Sequence, residues 1–269
     1  MAKLLNGKEL SLFVKEQQAR EVRSLKQSKG VEPKLVIIRT NSNPVTDLYV
    51  GLKVKYGEDI GVKVEVADIP EHELVANIDK YNSDESVHGI IVQLPLINNE
   101  SADEILKNIA PEKDVDGLGA GAILDAATPT AINWLLAGYN IDLAGKNIVI
   151  VGKGKLVGSP LAKMWEQSGY SVAVVTISTK DKESLIELAD VIVSATGTPG
   201  VITSEIVKPG AVVVDAGAAT DSNGIVGDVA PEVRLREDIT ITPEKGGVGP
   251  LTVCALFHNV LIAARKTGK

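Results

Sequence analysis

Short apolar runs alternate with segments of helical periodicity along most of the chain. Leu10, Phe13, Val14, Val22 and Leu25 fall roughly on one side of residues 7–28, which predicts an amphipathic helix. "KLVII" (34–38) is a continuous apolar run, as in a strand buried on both faces of a parallel sheet. "LYVGLKVK" (48–55) reads two ways. Leu48, Val50, Leu52 and Val54 alternate as in a strand, yet Tyr49 and Lys53 stand one helical turn apart. The stretch lies between "KLVII" and a second strand, "VKVEVA" (62–67), and parallel strands need a crossover. It is therefore predicted as a helix, capped by Thr46 or Asp47, running to about Ile60 and ended by Gly61. A helix over 71–82, a strand "GIIVQLP" (89–95) and the helical spacing of Ala102, Ile105, Leu106 and Ile109 complete a β-α-β-α-β-α unit.

"EKDVDGLGAGA" (112–122) is an acidic, Gly-rich break and a candidate hinge. After a short helix over 129–138, a second alternation begins. Its strands are "NIVIVG" (147–152), "SVAVV" (171–175), "DVIVSA" (190–195) and "AVVVDA" (211–216). A Gly-rich loop, "EKGGVGP" (244–250), and an apolar helix over 252–265 follow. The expected fold class is α/β in two lobes with a cleft between them, residues 1–125 and 126–251. The segment 252–269 is expected to pack back onto the first lobe.

Composition narrows the class. Of 269 residues, 44% are hydrophobic but only 3% aromatic, so the core is built from Ile, Val, Leu and Ala. The net charge of −7 argues against a nucleic-acid binder. No signal-peptide apolar region is seen, and no apolar run reaches the roughly 18 residues of a membrane span. Cys254 is alone, which excludes an internal disulfide and a Cys-cluster metal site; His72, His88 and His258 are too scattered for a zinc site. The expectation is a soluble cytoplasmic protein without a metal.

"VGKGKLVGSP" (151–160) follows a strand and opens a helix. Glycines let the backbone approach a phosphate, and a helix start supplies free N–H groups. The spacing Gly152, Gly154, Gly158 is one residue longer than the usual dinucleotide fingerprint, and an ordinary tight βα turn has the same appearance. The strand that would carry the ribose-binding acid ends "VVTIST", with no acid before Asp181, while Lys153 and Lys155 lie in the loop. That leans toward NADP over NAD. Tyr49-x-x-x-Lys53 has the spacing of the short-chain dehydrogenase pair, but it stands upstream of the Gly-rich loop, the wrong order for that class. Taken singly, Lys53 reads as a solvated lysine or a site residue, Tyr49 as core or site. Gln93 reads as a strand-end hydrogen bonder or a ligand contact, and Asp116 as a turn former before Gly117 or a ligand contact.

Together, "LYVGLKVKYGEDIG", "GIIVQLPL", "PEKDVDG", "VGKGKLVGSP", "GDV" (227–229) and "GGVGPLT" (246–252), in this order, resemble methylenetetrahydrofolate dehydrogenase/cyclohydrolase over nearly the whole chain. The resemblance implies a folate-binding catalytic domain followed by a Rossmann-like NAD(P)-binding domain. It implies oxidation of methylenetetrahydrofolate with NADP (sometimes NAD), then hydrolysis of the methenyl product to formyltetrahydrofolate, in one-carbon metabolism and purine biosynthesis. It implies that Lys53 is the catalytic lysine, Tyr49 stacks on the folate, Gln93 orients the lysine and Asp116 accepts hydrogen bonds from the pterin. Gly247, Gly249 and Pro250 would line the folate wall; Gly152, Lys153, Gly154, Gly158 and Ala218 would hold the cofactor. A homodimer without nucleic-acid or membrane partners is implied as well.

Departures from the family pattern are visible. Its "GRS" is Gly152-Lys153-Gly154 here, its "HS" is Thr176-Ile177, and its "PVPGGVGP" loop reads Pro243-Glu244-Lys245 before the glycines. The segment between "KDVDG" and "ATPTA" (127–131) is shortened, and "CTPxG" has lost its Cys and Gly. A shikimate-dehydrogenase-like oxidoreductase and a non-catalytic folate- or nucleotide-binding homologue are the alternatives. The intact set Tyr49, Lys53, Gln93 and Asp116 speaks against the latter.

Overall fold

A computed structural model describes residues 2–96, 102–221 and 224–267. The chain divides into two compact units, Leu12–Ala127 with Val253–Lys269, and Met1–Ser11 with Thr128–Thr252.

In the first unit, β2 (Lys34–Arg39) lies between β3 (Lys63–Asp68) and β4 (Gly89–Val92), all parallel. The remainder of α1 (Gly7–Lys29), α2 (Pro44–Ile60), α3 (Leu74–Ser83) and α4 (Ala102–Leu106) complete the alternation. Every residue of β4 is buried although it stands at the end of the three-strand order, as an apolar run covered on both faces requires. Val36, Ile38, Leu74, Ile78, Ile90 and Leu106 belong to one core cluster, in which aliphatic side chains pack together with Tyr81.

"LYVGLKVK" is helical. Thr46, Val50, Gly57 and Ile60 form the buried stripe of α2, while Leu48 and Leu52 are each 49% exposed, so the apparent alternation spans both faces. The cap differs from expectation. Asn43 Oδ1 accepts the Thr46 N–H at 2.9 Å and Pro44 opens the helix, where its missing N–H is not needed. The 71–82 segment likewise begins as a 3₁₀ turn, Glu71–Glu73, before α3.

The second unit holds a six-stranded parallel sheet in the order β1 (Lys3–Leu4), β11 (Thr240–Ile241), β8 (Val212–Asp215), β7 (Val191–Ser194), β5 (Ile148–Val151), β6 (Val172–Val175). Helices α5 (Ala127–Gly138), α6 (Gly158–Gln167) and α7 (Lys182–Glu187) accompany it. The first residues, expected in the N-terminal lobe, join this unit because β1 pairs with β11; two residues are too short to register as a hydropathy signal. An antiparallel pair, β9 (Ala219–Asp221) with β10 (Gly224–Val226), was not foreseen either.

The last helix is α8 (Val248–Thr267), somewhat longer than the expected 252–265. By length and apolarity it meets the test for a membrane span, yet 61% of its most apolar window is buried in the protein, as in a core helix. From Val253 onward it belongs to the first unit, with Cys254, Phe257 and Val260 fully buried.

Candidate active site

Lys53 and Lys55 are two residues apart on α2 and have different fates. Lys55 is exposed and pairs with Asp59 at 3.0 Å. Lys53 leaves the solvated face, and its Nζ donates to Gln93 Oε1 at 2.7 Å. Gln93 stands just past β4, fixed by its backbone N–H on Ile38 O (2.8 Å). Its Nε2 donates to Leu94 O at 2.9 Å, which commits Oε1 to the lysine, because a carbonyl can only accept.

Burial pushes the Lys53 ammonium below the ordinary lysine range, and the negative charge of Asp116 pulls part of the way back. For Asp116 the effects run the other way: burial raises its carboxyl, Lys53 lowers it, and Asp114 adds to the rise. Tyr49, half-buried one turn before Lys53, has its phenol raised by burial. Strand, helix and acidic break thus bring Lys53, Gln93 and Asp116 into one electrostatic unit.

The "KDVDG" turn holds Asp116 through residues that the motif reading left without a role. Asp114, 2% exposed, accepts N–H groups from Gly117 (3.0 Å) and Gly119 (2.7 Å). Gly117 has φ +69°, and a Cβ there would lie 2.8 Å from Leu124 O and Ala126 N, so only glycine closes the turn. From α8, the buried Asn259 donates to Val115 O (2.9 Å) and Asp125 O (2.8 Å), bracketing the shortened segment. The first Asp of the motif was a readable signal; Asn259 had none, since its partners are backbone atoms far away in sequence.

In the second unit, Gly152 (φ +104°) closes β5 and Gly158 opens α6. A Cβ on Gly152 would meet Ala195 O at 2.6 Å, and one on Gly158 would meet Gly152 O at 2.0 Å. Gly154 is different: its nearest such contact is 3.8 Å, so its bareness serves open space. Val157, at the N-cap of α6, offers no side-chain hydrogen bond to the first turn. An open glycine beside an uncapped helix start fits a dinucleotide phosphate. Lys153 lies in this loop, and Ala218 is exposed beyond the carboxyl end of β8. After β6, Thr176 and Ser178 hydroxyls lie 3.0 Å apart, Ile177 is 94% exposed, and Asp181 instead sits at the N-cap of α7.

Of the three residues assigned to a folate wall, Gly247 is bare for packing reasons: its Cβ would meet that of Thr242 at 3.0 Å, and Gly7 lies against its carbonyl. Gly249 is exposed with nothing near, and Pro250 lies in the first turn of α8. Among the described residues, no group of three or more His, Cys, Asp or Glu side chains could hold a metal ion.

Comparison with known proteins covers both units. Residues 5–116 match the family model for the tetrahydrofolate dehydrogenase/cyclohydrolase catalytic domain, and residues 126–268 that for its NAD(P)-binding domain. The chain is 39% identical over 279 residues to the bifunctional protein FolD of Staphylococcus haemolyticus, covering 98% of each. The crystal structure of the Campylobacter jejuni bifunctional enzyme FolD, methylenetetrahydrofolate dehydrogenase/cyclohydrolase, superposes with a TM-score of 0.92 at 38% identity over 99% of both chains. The Trypanosoma brucei dehydrogenase-cyclohydrolase, solved with NADP and an inhibitor, gives 0.92 at 28% identity over 98% of both.

Proposed function

The chain belongs to the tetrahydrofolate dehydrogenase/cyclohydrolase family, and from that premise we propose how its own residues divide the work. It is a bifunctional enzyme: methylenetetrahydrofolate is oxidised to the methenyl form, which is then hydrolysed to 10-formyltetrahydrofolate. A shikimate-dehydrogenase-like identity is displaced by the two family models.

The hydrolytic step is assigned to Lys53, and one observation carries this: a half-buried Lys53 whose Nζ is held at 2.7 Å by a neutral amide oxygen of Gln93 instead of a carboxylate. Burial lowers its proton affinity, so the neutral amine is populated closer to neutrality than for a solvated lysine. The neutral amine accepts a proton from water as that water attacks the cationic methenyl carbon. The resulting ammonium returns the proton to the folate nitrogen when the C–N bond breaks, and overall one proton is released. Asp116 offers the acceptor that a donor-rich pterin edge needs, and Tyr49 offers a ring for stacking. Gly247, Gly249 and Pro250 are assigned to the substrate.

Gly152, Lys153, Gly154, Gly158 and Ala218 are assigned to the nicotinamide dinucleotide, which when bound supplies the hydride acceptor. NADP is the preferred form. The hydroxyls of Thr176 and Ser178 and the cation of Lys153 suit a 2′-phosphate, and no carboxylate competes before Asp181. A cytoplasmic homodimer supplying one-carbon units, purine biosynthesis included, completes the proposal. β3 is an edge strand, and the half-exposed Leu48 and Leu52 offer apolar surface to a second copy.

The experiment that tests this reading is an assay with methylenetetrahydrofolate and either NADP or NAD, following reduced nicotinamide and acid-quenched methenyl product. Turnover faster with NADP is expected. Faster turnover with NAD would remove Thr176, Ser178 and Lys153 as a 2′-phosphate site, and none with either would sink the oxidative assignment.

Asp116→Asn is expected to weaken folate binding by about 1–3 kcal/mol, the loss of a charge-assisted hydrogen bond. It also makes a pH prediction. Asp116 pulls the Lys53 proton affinity up, so its removal lets that affinity fall further. Hydrolysis needs the neutral amine, hence the acid limb of the pH–rate profile moves to lower pH in the variant. A limb that stays put would separate Asp116 from Lys53.

A further inference from the structure

Two buried carboxylates in the second unit take part in none of the steps above. Asp215 ends β8 and accepts N–H groups from Gly217 (3.1 Å), Asp228 (2.9 Å) and Val229 (3.1 Å), and Arg234 pairs with it at 2.6 Å. Asp228 is fully buried. Its Oδ2 accepts from Ser194 Oγ at 2.7 Å and from the Thr196 N–H at 2.6 Å, while its Oδ1 has no hydrogen-bond partner among the described residues. A carboxylate is an expensive group to bury for two hydrogen bonds, so its placement asks for a reason.

The reason lies in what these bonds hold. Ser194 ends β7, and Ala195–Thr196 is the turn that leaves it. Ala195 O sits over Gly152, leaving 2.6 Å where a Cβ would be, and Thr196 Cγ2 is 3.2 Å from the same point. Gly152 O in turn fills the Cβ position of Gly158 to within 2.0 Å. On its other side, Asp228 Oδ1 comes within 2.0 Å of the Cβ position of Gly217, the residue before Ala218. One side chain therefore touches the turns leaving β7 and β8 and, through Ala195, bears on the turn leaving β5. These are carboxyl ends of parallel strands, the edge at which open α/β sheets bind ligands.

We propose that Asp228 is a positioning residue for the nicotinamide dinucleotide: it clamps the Ser194–Thr196 turn against Gly152 and the Gly217–Ala218 turn beside it, so the nucleotide meets loops already in place. Charge-assisted bonds of 2.6–2.7 Å hold that turn more firmly than a neutral acceptor would. Asp215 and Arg234 serve the clamp by fixing the Asp228 backbone. The proposal rests on the reading of residues 152–158 as the nucleotide loop.

The test compares Asp228→Ala, Asp228→Asn and Gly154→Asp by NADP⁺ titration, by KM for NADP⁺ against KM for methylenetetrahydrofolate, and by thermal melting. Methenyl hydrolysis, which needs no nucleotide, normalises for folded protein. Asp228→Ala is expected to raise Kd and KM for NADP⁺ at least tenfold with the folate KM within twofold. Asp228→Asn, which keeps an acceptor for Thr196, is expected to raise them about threefold. A role confined to stability would lower the melting temperature and leave KM for NADP⁺ where it was, which overturns the proposal. If Asp228→Ala does not fold, Ser194→Ala, which removes one bond of the clamp, is expected to raise Kd about threefold, and an unchanged Kd overturns the proposal. Gly154→Asp separates the two layers: space exists for its side chain, and its charge repels a phosphate. If it weakens NADP⁺ while Asp228→Ala does not, the clamp alone is wrong; if it has no effect, the loop assignment fails and the clamp with it.

Discussion

Lys53→Met is expected to slow methenyl hydrolysis by about 10²- to 10⁴-fold, the usual contribution of a positioned acid–base group, while folate still binds. Methionine keeps the length and apolar stem of lysine and removes only the amine that Gln93 holds. Loss of methenyl absorbance at saturating substrate measures the effect, and normal hydrolysis in the variant would end the assignment of Lys53. Stability supplies a second readout with a definite sign. Burial lowers the folded-state proton affinity of Lys53. At pH values below that folded-state pKa, burial therefore costs the protein its full penalty, which fades as pH rises toward the ordinary lysine value. Lys53→Met removes the penalty, so its stability relative to the parent is greatest at low pH and declines as pH rises. A pH-independent difference in melting temperature would mean that Lys53 is solvated after all.

The second large effect is expected at Gly158. An alanine Cβ there falls 2.0 Å from Gly152 O, 2.9 Å from Gly152 C and 3.2 Å from Lys153 Cα, all backbone atoms with no rotamer to yield. Either β5 or the start of α6 must shift, costing about 1–3 kcal/mol of stability as overpacking does. A shift on the order of 1 Å in the loop that carries the nucleotide is expected to cut the dehydrogenase about 100-fold. Thermal melting of Gly154→Ala isolates the stability part, because a Cβ at Gly154 has 3.8 Å of clearance from protein atoms and leaves the backbone alone. Wild-type dehydrogenase in Gly158→Ala would show that the loop does not hold the nucleotide.

Much of this organisation was legible from hydropathy. The strands "KLVII", "NIVIVG" and "DVIVSA" are buried on both faces, and such segments advertise themselves as continuous apolar runs wherever they stand. The crossover requirement made α2 a helix despite its alternating pattern, which placed Tyr49 and Lys53 on neighbouring turns. Elements that depend on a distant partner were missed. β1 exists because β11, more than 230 residues further along, is beside it. Asn43 prevailed over Thr46 and Asp47 as the helix cap because Pro44 moved the helix start upstream.

The candidate site divides along the same line. Residue types and their order along the chain determined which groups are available: a lysine one turn from a tyrosine, a glutamine at a strand end, an aspartate before glycine, a glycine-rich strand–helix turn. Those are local facts, written in spacing and dipeptide chemistry. Whether Lys53 is solvated like Lys55 or half-buried against Gln93, and which glycines are bare for packing and which for open space, was decided by tertiary structure alone. The same holds for Asn259 and Asp228, which work by gripping backbone from far along the chain. The physical reason is common to all of them. Desolvation, a charge felt through a low-dielectric interior and a steric clash with backbone depend on what lies within a few ångströms in space, and no spacing along the chain encodes that.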